Sequence, residues 1–426
     1  MLQIQDLELT QLAHEPKPTT SMQYLAEHPL LDLPFRSFFL LAVFGSMAAL
    51  AIWAAYLNGH FSFTGYAITP LTWHIHEMIF GFAATVALGF ILTAVQTWTG
   101  TASIKGRAVL AFIALWLLIR VLLFINTTST FFIAVTLQTL WWLAAIVIFS
   151  QRVISQQNRR NYLFIPLLMV LMQLNIALLL VDFYGFADFA RHLARTCVLM
   201  FCLLMGILGG RVIPFFTASG AKIPALTAPY WLTAVLTGMS LLAVLVFFCS
   251  KFFNLSYIPA IFMMAAGILH IVRQSYWHSW ATRKISLLWS LHCAYFALGL
   301  GLILLGLSYL PKALAPSWFL SINFASALHL LTIGAMGLMI FAMMARVSLG
   351  HTGRALTPSK VVSWIFYLII ISAISRVFLP MLPEMATQVM LSWNISVFTW
   401  FIAGLLFLRG YWSILTSKKV DKYLHR

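Results

Sequence analysis

The stretch TPLTWHIHEMIFGF, residues 69–82, places two histidines and a glutamate at the start of a long apolar run. Thr69 can cap the N-terminus of a helix, and a proline suits its first turn. The run continues to about Gln96, which is long enough to cross a bilayer. Ionisable side chains are costly there and often mark a functional site, although they could also only anchor the helix end. The stretch therefore predicts a membrane-spanning helix with a polar site near one end.

The composition of the whole chain indicates a polytopic membrane protein. Of its 426 residues, 62% are hydrophobic and 8% are charged, and the mean hydropathy is +0.93. A soluble domain carries about 25% charged residues. Windows of ~20 apolar residues recur about 12 times, so we expect an all-α, polytopic transmembrane helical bundle of about 12 spans. The net charge of +16 comes from Lys and Arg in short loops, which excludes nucleic acid and leaves the lipid bilayer as partner.

The distribution of positive charge predicts the orientation. Loops that follow even-numbered spans are rich in Lys and Arg, whereas the alternate loops hold few. Because positive loops stay on the cytoplasmic side, both termini are predicted to be cytoplasmic. We divide the chain into a cytoplasmic N-terminal tail (1–35), a transmembrane bundle (36–412) and a basic cytoplasmic C-terminal tail (413–426).

On this topology, ionisable side chains of several spans lie near the predicted periplasmic face. They are His74, His76 and Glu77 in span 2, Arg120 in span 3, Asp182 in span 5, and His192 and Arg195 in span 6. Such groups pair or line a cavity when they lie inside a membrane, although helix ends also gather them by chance. The arginines are expected either to pair with the carboxylates or to bind an anionic group such as a haem propionate.

Helical geometry separates the two histidines of the first stretch. On a regular helix His74 and His76 point ~200° apart, so they cannot both bind one metal ion unless the stretch begins extended. His74 shares a predicted face with Glu77 and Gly81. His76 shares one with Phe80, a flat apolar face where a macrocycle could lie. We therefore expect one ligand and one supporting residue, or two separate sites.

Three further histidines lie within later spans. His329 is expected ~15 Å from the start of span 10, near the midplane, and His270 and His292 lie toward the cytoplasmic side of spans 8 and 9. Hydrogen bonding to Ser or Thr of another helix would explain them simply. Neutral imidazole is also a common ligand of iron and copper. Methionine thioethers suit Cu(I), although methionine is also an ordinary residue for filling gaps in a core. Methionines follow His329 at helical spacing: Met336, Met339 and Met343.

Three segments together resemble the NnrS family of bacterial membrane proteins. They are WHIHEMIFGF (73–82) with its continuation to Gly100, GGRVIPFFT (209–217), and HLLTIGAMG (329–337) with its continuation to Arg354. The family motifs correspond here to His74, His76, Glu77, Arg211, His329, Arg346, His351 and Arg354. The resemblance implies a haem- and copper-containing protein of the bacterial cytoplasmic (inner) membrane. It also implies a link to denitrification and to protection against nitric oxide, which is a candidate partner.

The resemblance does not assign the histidines to haem or to copper, so the candidate ligands are taken from their positions in the spans. The candidates for haem binding are His76, His192 and His329, with Arg120 and Arg195 for its propionates. The candidates for metal ligation are His74, His76, His192 and His329, and copper is expected with His74 or with the histidine–methionine face. Glu77, Arg211 and His351 are assigned supporting roles. On the predicted topology His351 and the arginines near it are cytoplasmic, where they could also be topology signals or contact a phosphate.

Two other classes of protein fit part of the pattern. A membrane transporter of a small anion or metal ion is the alternative, because many spans and an intramembrane polar cluster suit transport equally well. Corresponding pairs of spans broken by Gly or Pro, which transporters often carry, are not visible. A haem–copper oxidase or nitric oxide reductase core has a similar number of spans, but no His-His pair is present to complete a three-histidine copper site.

Overall fold

The computed structural model describes residues 27–255, 257–310, 324–382, 385 and 387–420. In this part of the chain 12 helices are long and apolar enough to cross a membrane, and no strand occurs. They are α1 (Pro34–Leu57), α2 (Pro70–Thr99), α3 (Arg107–Ile125), α4 (Thr128–Ser155), α5 (Arg159–Phe183), α6 (Ala187–Ala221), α7 (Tyr230–Cys249), α8 (Ile258–Ser275), α9 (Ser286–Leu307), α10 (Phe324–His351), α11 (Lys360–Met381) and α12 (Val389–Thr416). The predicted all-α polytopic bundle is confirmed. Most of the predicted N-terminal tail, and residues 421–426 of the C-terminal tail, lie outside the described residues.

The helices differ in how deeply they lie in the bundle. In α2, 83% of the most apolar window is buried within the protein, and in α6 the share is 72%, against 28% in α3. α1 packs against α2 and α12, α8 against α9, and α11 against α12. The helices with polar residues in their apolar runs, above all α2, α6 and α10, therefore form the interior.

Small residues let the interior helices approach their neighbours closely. A Cβ atom on Gly89 of α2 would lie 2.8 Å from the Cβ atom of Phe38 in α1. On α6, a Cβ atom at Gly206 would lie 2.7 Å from the ring of His270 in α8. These glycines are therefore needed for packing, because any larger side chain would force the helices apart.

Two arginines that were predicted to lie in cytoplasmic loops are helical instead. Arg211 lies within α6, which continues to Ala221, and Arg346 lies within α10, which continues to His351. The guanidinium carbon of Arg346 lies 4.0 Å from the ring centroid of Phe216, and that of Arg211 lies 5.4 Å from that of Phe164. Arg211 also donates to the side chain of Asn161, at 3.0 Å. Aromatic rings and hydrogen bonds thus accommodate these charges in helical segments.

α2 and α10 each contain a π-helical segment that directly follows a histidine. Glu77–Ala83 follows His76, and Leu330–Gly337 follows His329. A π-helical turn holds more residues than an α-helical one, so it changes which side chains share a face, and such turns are frequent at functional sites. Both segments adjoin the site described next.

Candidate functional site

A cavity of about 330 Å³ lies among α1, α2, α6, α10, α11 and α12. Most of its wall is apolar, but His74 of α2 and His329 of α10 both line it. The structure therefore brings together two of the predicted metal ligands, from helices far apart in the sequence.

The ring of His329 is held by its own helix. Its Nδ1 donates a hydrogen bond to the carbonyl oxygen of Ala325, at 2.7 Å. Because Nδ1 carries the proton, the lone pair is on Nε2, and this is the usual arrangement of a metal-binding histidine. From His329, α10 continues to His351, roughly 30 Å at ~1.5 Å per residue. His329 thus lies far from the His351 end of α10, five residues after Phe324, where the described part of the helix begins.

His74 is held by an aromatic neighbour. Its ring stacks on Trp53 of α1, with the ring centroids 4.4 Å apart and the planes inclined by 12°. Its Nδ1 is buried and makes no hydrogen bond with the described residues. A neutral imidazole with a fixed ring plane and a nitrogen without a partner is suited to bind a metal ion or another ligand.

Cations and thioethers complete the cavity wall. Arg191 and Arg195 reach it from α6 and Arg376 from α11. Met78 and Met336 lie on the same helices as the two histidines and line the same space. No Asp or Glu occurs among the described lining residues. The cavity is therefore apolar, rich in positive charge, and supplied with nitrogen and sulfur donors.

A second polar cluster lies on another face of α2. Glu77 Oε1 accepts hydrogen bonds from Nη1 of Arg120, at 2.9 Å, and from Nδ1 of His76, at 3.2 Å. Nη2 of Arg120 donates to the side-chain oxygen of Gln138 in α4, at 2.6 Å. His76 is fully buried, and its Nε2 makes no hydrogen bond with the described residues. Arg120 thus pairs with Glu77, one of the two predicted roles of the arginines, and its charge is compensated outside the cavity.

The faces of α2 agree only in part with the prediction. His74 and His76 do contact different neighbours, as helical geometry required. Glu77 and Gly81, however, do not share the cavity face of His74. A Cβ atom on Gly81 would lie 2.9 Å from Nη1 of Arg120, so this face turns toward α3. The prediction assumed a regular α-helix, whereas the π-helical turn begins at Glu77.

Two other predicted histidines lie outside the cavity. Nε2 of His192 donates to the carbonyl oxygen of Phe248, at 3.1 Å, and its ring stacks on Phe247 with centroids 4.5 Å apart. His192 therefore joins α6 to α7. The ring of His351 lies against Phe35, at a centroid distance of 5.6 Å, at the opposite end of α10 from His329. As predicted, His351 and His74 cannot belong to one centre.

The histidines of α8 and α9 are hydrogen-bonded to neighbouring segments, which is the simpler of the two predicted roles. Both ring nitrogens of His292 are bonded, Nε2 to Thr217 at 2.8 Å and Nδ1 to Ser279 at 2.9 Å. His270 Nδ1 pairs with the hydroxyl of Tyr295 at 2.7 Å. These groups hold α6, α8 and α9 together away from the cavity.

Sequence reasoning missed two residues of the cavity. Arg376 was counted only among the few charges of a periplasmic loop, and Trp53 was given no role. A lone arginine near the end of an otherwise apolar run was the available signal for Arg376, which lies five residues before the end of α11. Nothing in the sequence distinguished Trp53 from the chain's other tryptophans.

Asp182 of α5 holds the start of α2 in place. Its carboxylate accepts hydrogen bonds from the backbone N–H of Thr69, at 2.6 Å, and from the hydroxyl of Thr69, at 3.1 Å. Replacing Asp182 with Ala should lower stability by about 1.5–3 kcal/mol, because donors bound to a charged acceptor lose their partner. Thermal unfolding of the purified protein in detergent measures the loss. The stability of Asp182→Asn should fall between those of wild type and Asp182→Ala. An Asp182→Ala protein as stable as wild type would contradict this role.

Comparison with known protein families gives one match. The family model described as NnrS protein matches residues 29–419 of the chain, a range that includes all 12 helices and every cavity residue. A comparison with curated proteins gives no match.

Proposed function

Because this chain belongs to the NnrS family, we propose that it is a haem- and copper-binding membrane protein of the nitric oxide response. The proposed location is the bacterial cytoplasmic membrane, with a role linked to denitrification. The observation that carries the proposal is the pair of imidazoles, His74 and His329, that line one apolar cavity between interior helices.

The donor set of the cavity fits a haem. A haem brings four nitrogen donors of its own, so the protein needs to supply only one or two axial ligands. His329, with Nδ1 bonded to the backbone and its lone pair on Nε2, is in the form that binds iron, and His74 offers a second imidazole. Apolar walls exclude water, and arginines can pair with propionates. When bound, haem supplies an iron that takes up small diatomic ligands and exchanges one electron.

Copper is left with a more restricted choice of ligands. No group of three or more His, Cys, Asp or Glu side chains among the described residues could hold a metal ion. Thioethers would therefore have to contribute, and Met78 and Met336 line the cavity beside His74 and His329. A mixed imidazole–thioether set suits Cu(I). The predicted partners Met339 and Met343 are not among the lining residues.

An absorption spectrum and a metal analysis of the purified protein test the proposal. The expected result is a Soret band that changes on reduction and on addition of nitric oxide, with iron and copper present in the preparation. A spectrum with no Soret band, together with the absence of both metals after growth in their presence, would exclude it.

Transport of a small anion remains the second candidate function. The observation that favours it is the cavity itself, which carries arginines and no carboxylate among its described lining residues. Uptake of a labelled anion by proteoliposomes, in protein that shows no Soret band, would support this alternative.

A further inference from the structure

Arg376 of α11 is a cation in the cavity wall without an anionic partner among the described residues. It makes no hydrogen bond or ion pair with any described residue. Its guanidinium carbon lies 4.5 Å from the ring centroid of Trp393, which also lines the cavity. Arg376, His74 and His329 all line this one cavity.

The carboxylates of the described transmembrane helices all have other partners. Glu77 pairs with Arg120, and Asp182 accepts both hydrogen bonds of Thr69. Asp188 forms an ion pair with Arg191 at the start of α6. A guanidinium withdrawn from water is costly unless it is paired and hydrogen-bonded. No described carboxylate therefore compensates the positive charge of Arg376 in the cavity wall.

Arg195 adds a second positive charge to the same wall. Its guanidinium carbon lies 4.1 Å from the ring centroid of Phe324, and it also interacts with the hydroxyl of Tyr309. In both Arg195 and Arg376 an aromatic ring covers the flat face of the guanidinium. The edge of Arg376 carries N–H donors that bond no described residue, and its geometry matches two oxygens of one anion, whereas Arg195 has donors left beside its contact with Tyr309.

We propose that Arg376, together with Arg195, binds a carboxylate or a small oxyanion next to His74 and His329. The chemistry is the same for a propionate of a bound haem and for a free oxyanion such as nitrite. The choice of these two sources rests on the proposed function, whereas the anion site itself rests on the cations and on the carboxylates that have other partners.

Haem and its dimethyl ester, in which both carboxylates are methylated, test the first source. Wild-type protein should bind haem at least about tenfold more tightly than the ester, a difference of ~1.4 kcal/mol. Arg376→Gln should lose most of this preference, with the remainder due to Arg195, and Arg376→Lys should recover part of it. Arg283→Gln, which removes an exposed arginine beside Trp280, is the matched control and should behave as wild type.

Titration of haem-free protein with nitrite tests the second source. Trp53 and Trp393 line the cavity, so binding should change tryptophan fluorescence in a saturable way in wild type and not in Arg376→Gln. A preference for haem over its ester that depends on Arg376 identifies the carboxylate. A nitrite response that depends on Arg376, without such a preference, identifies a free oxyanion.

The two proposals fail in different ways. If the protein binds no haem but still responds to nitrite through Arg376, the cofactor assignment is wrong and the anion site stands. If Arg376→Gln matches wild type in both titrations, the anion site is wrong. Should Arg376→Gln fail to fold, the wild-type measurements still decide, because equal binding of haem and its ester together with no response to nitrite would overturn the inference.

Discussion

His329→Ala protein is expected to bind haem at least about tenfold more weakly, a loss of ~1.4 kcal/mol, and therefore to retain less haem than wild type after purification. The reason is that the variant removes the imidazole whose Nε2 lone pair is available in the cavity. His74→Ala should also lower haem or copper content, since it removes the second imidazole. Haem extracted per mole of protein, with iron and copper measured by mass spectrometry, provides the readout.

Variants of other histidines locate the site by comparison. His60→Ala changes an exposed loop residue and should leave both metals unchanged. His192→Ala and His76→Ala remove predicted ligands that the structure places outside the cavity, so each should lower metal content less than His329→Ala. Full retention of haem and copper in both His74→Ala and His329→Ala would exclude the cavity as the cofactor site.

The fold could be predicted because each span carries its own signal. A helix that crosses a bilayer satisfies its backbone hydrogen bonds locally and needs a long apolar run, and both properties can be detected in one segment of sequence. The same local reasoning separated His74 from His76, and it identified Arg120 as a candidate partner of Glu77. These predictions depend only on helical geometry and on the cost of an unpaired charge.

The cavity could not be predicted because it depends on how distant helices pack. His74 and His329 belong to α2 and α10, and no short-range pattern indicates that these helices share a space. The π-helical turns after His76 and His329 change the faces of both helices without a signal in composition. Arg376 gains its role only when α11 is placed against the same cavity.

Position on α2 divides its polar residues into two kinds. His74 and Met78 face a space that can receive a ligand, whereas Glu77 pairs with Arg120 of α3 and His76 bonds to Glu77. The first pair should therefore affect binding, and the second should affect stability. This distinction gives the Glu77–Arg120 pair a different expected result from the cavity histidines.

Removing either partner of the Glu77–Arg120 pair should destabilise the protein by about 3–5 kcal/mol, because the other charge stays buried without compensation. The side chains of Glu77 and Arg120 are only 8% and 12% exposed, so water cannot replace the lost partner. Thermal unfolding in detergent, with the intact bundle followed by circular dichroism, measures the effect for Glu77→Met and for Arg120→Met.

The double variant shows whether the effect comes from an unpaired charge. With both residues replaced by Met, no buried charge is left, so the protein should be more stable than either single variant. Asp188→Ala, which breaks the exposed ion pair with Arg191, is the matched comparison and should cost less than about 1 kcal/mol. If the losses from Glu77→Met and Arg120→Met instead add up in the double variant, the two side chains do not act as a pair.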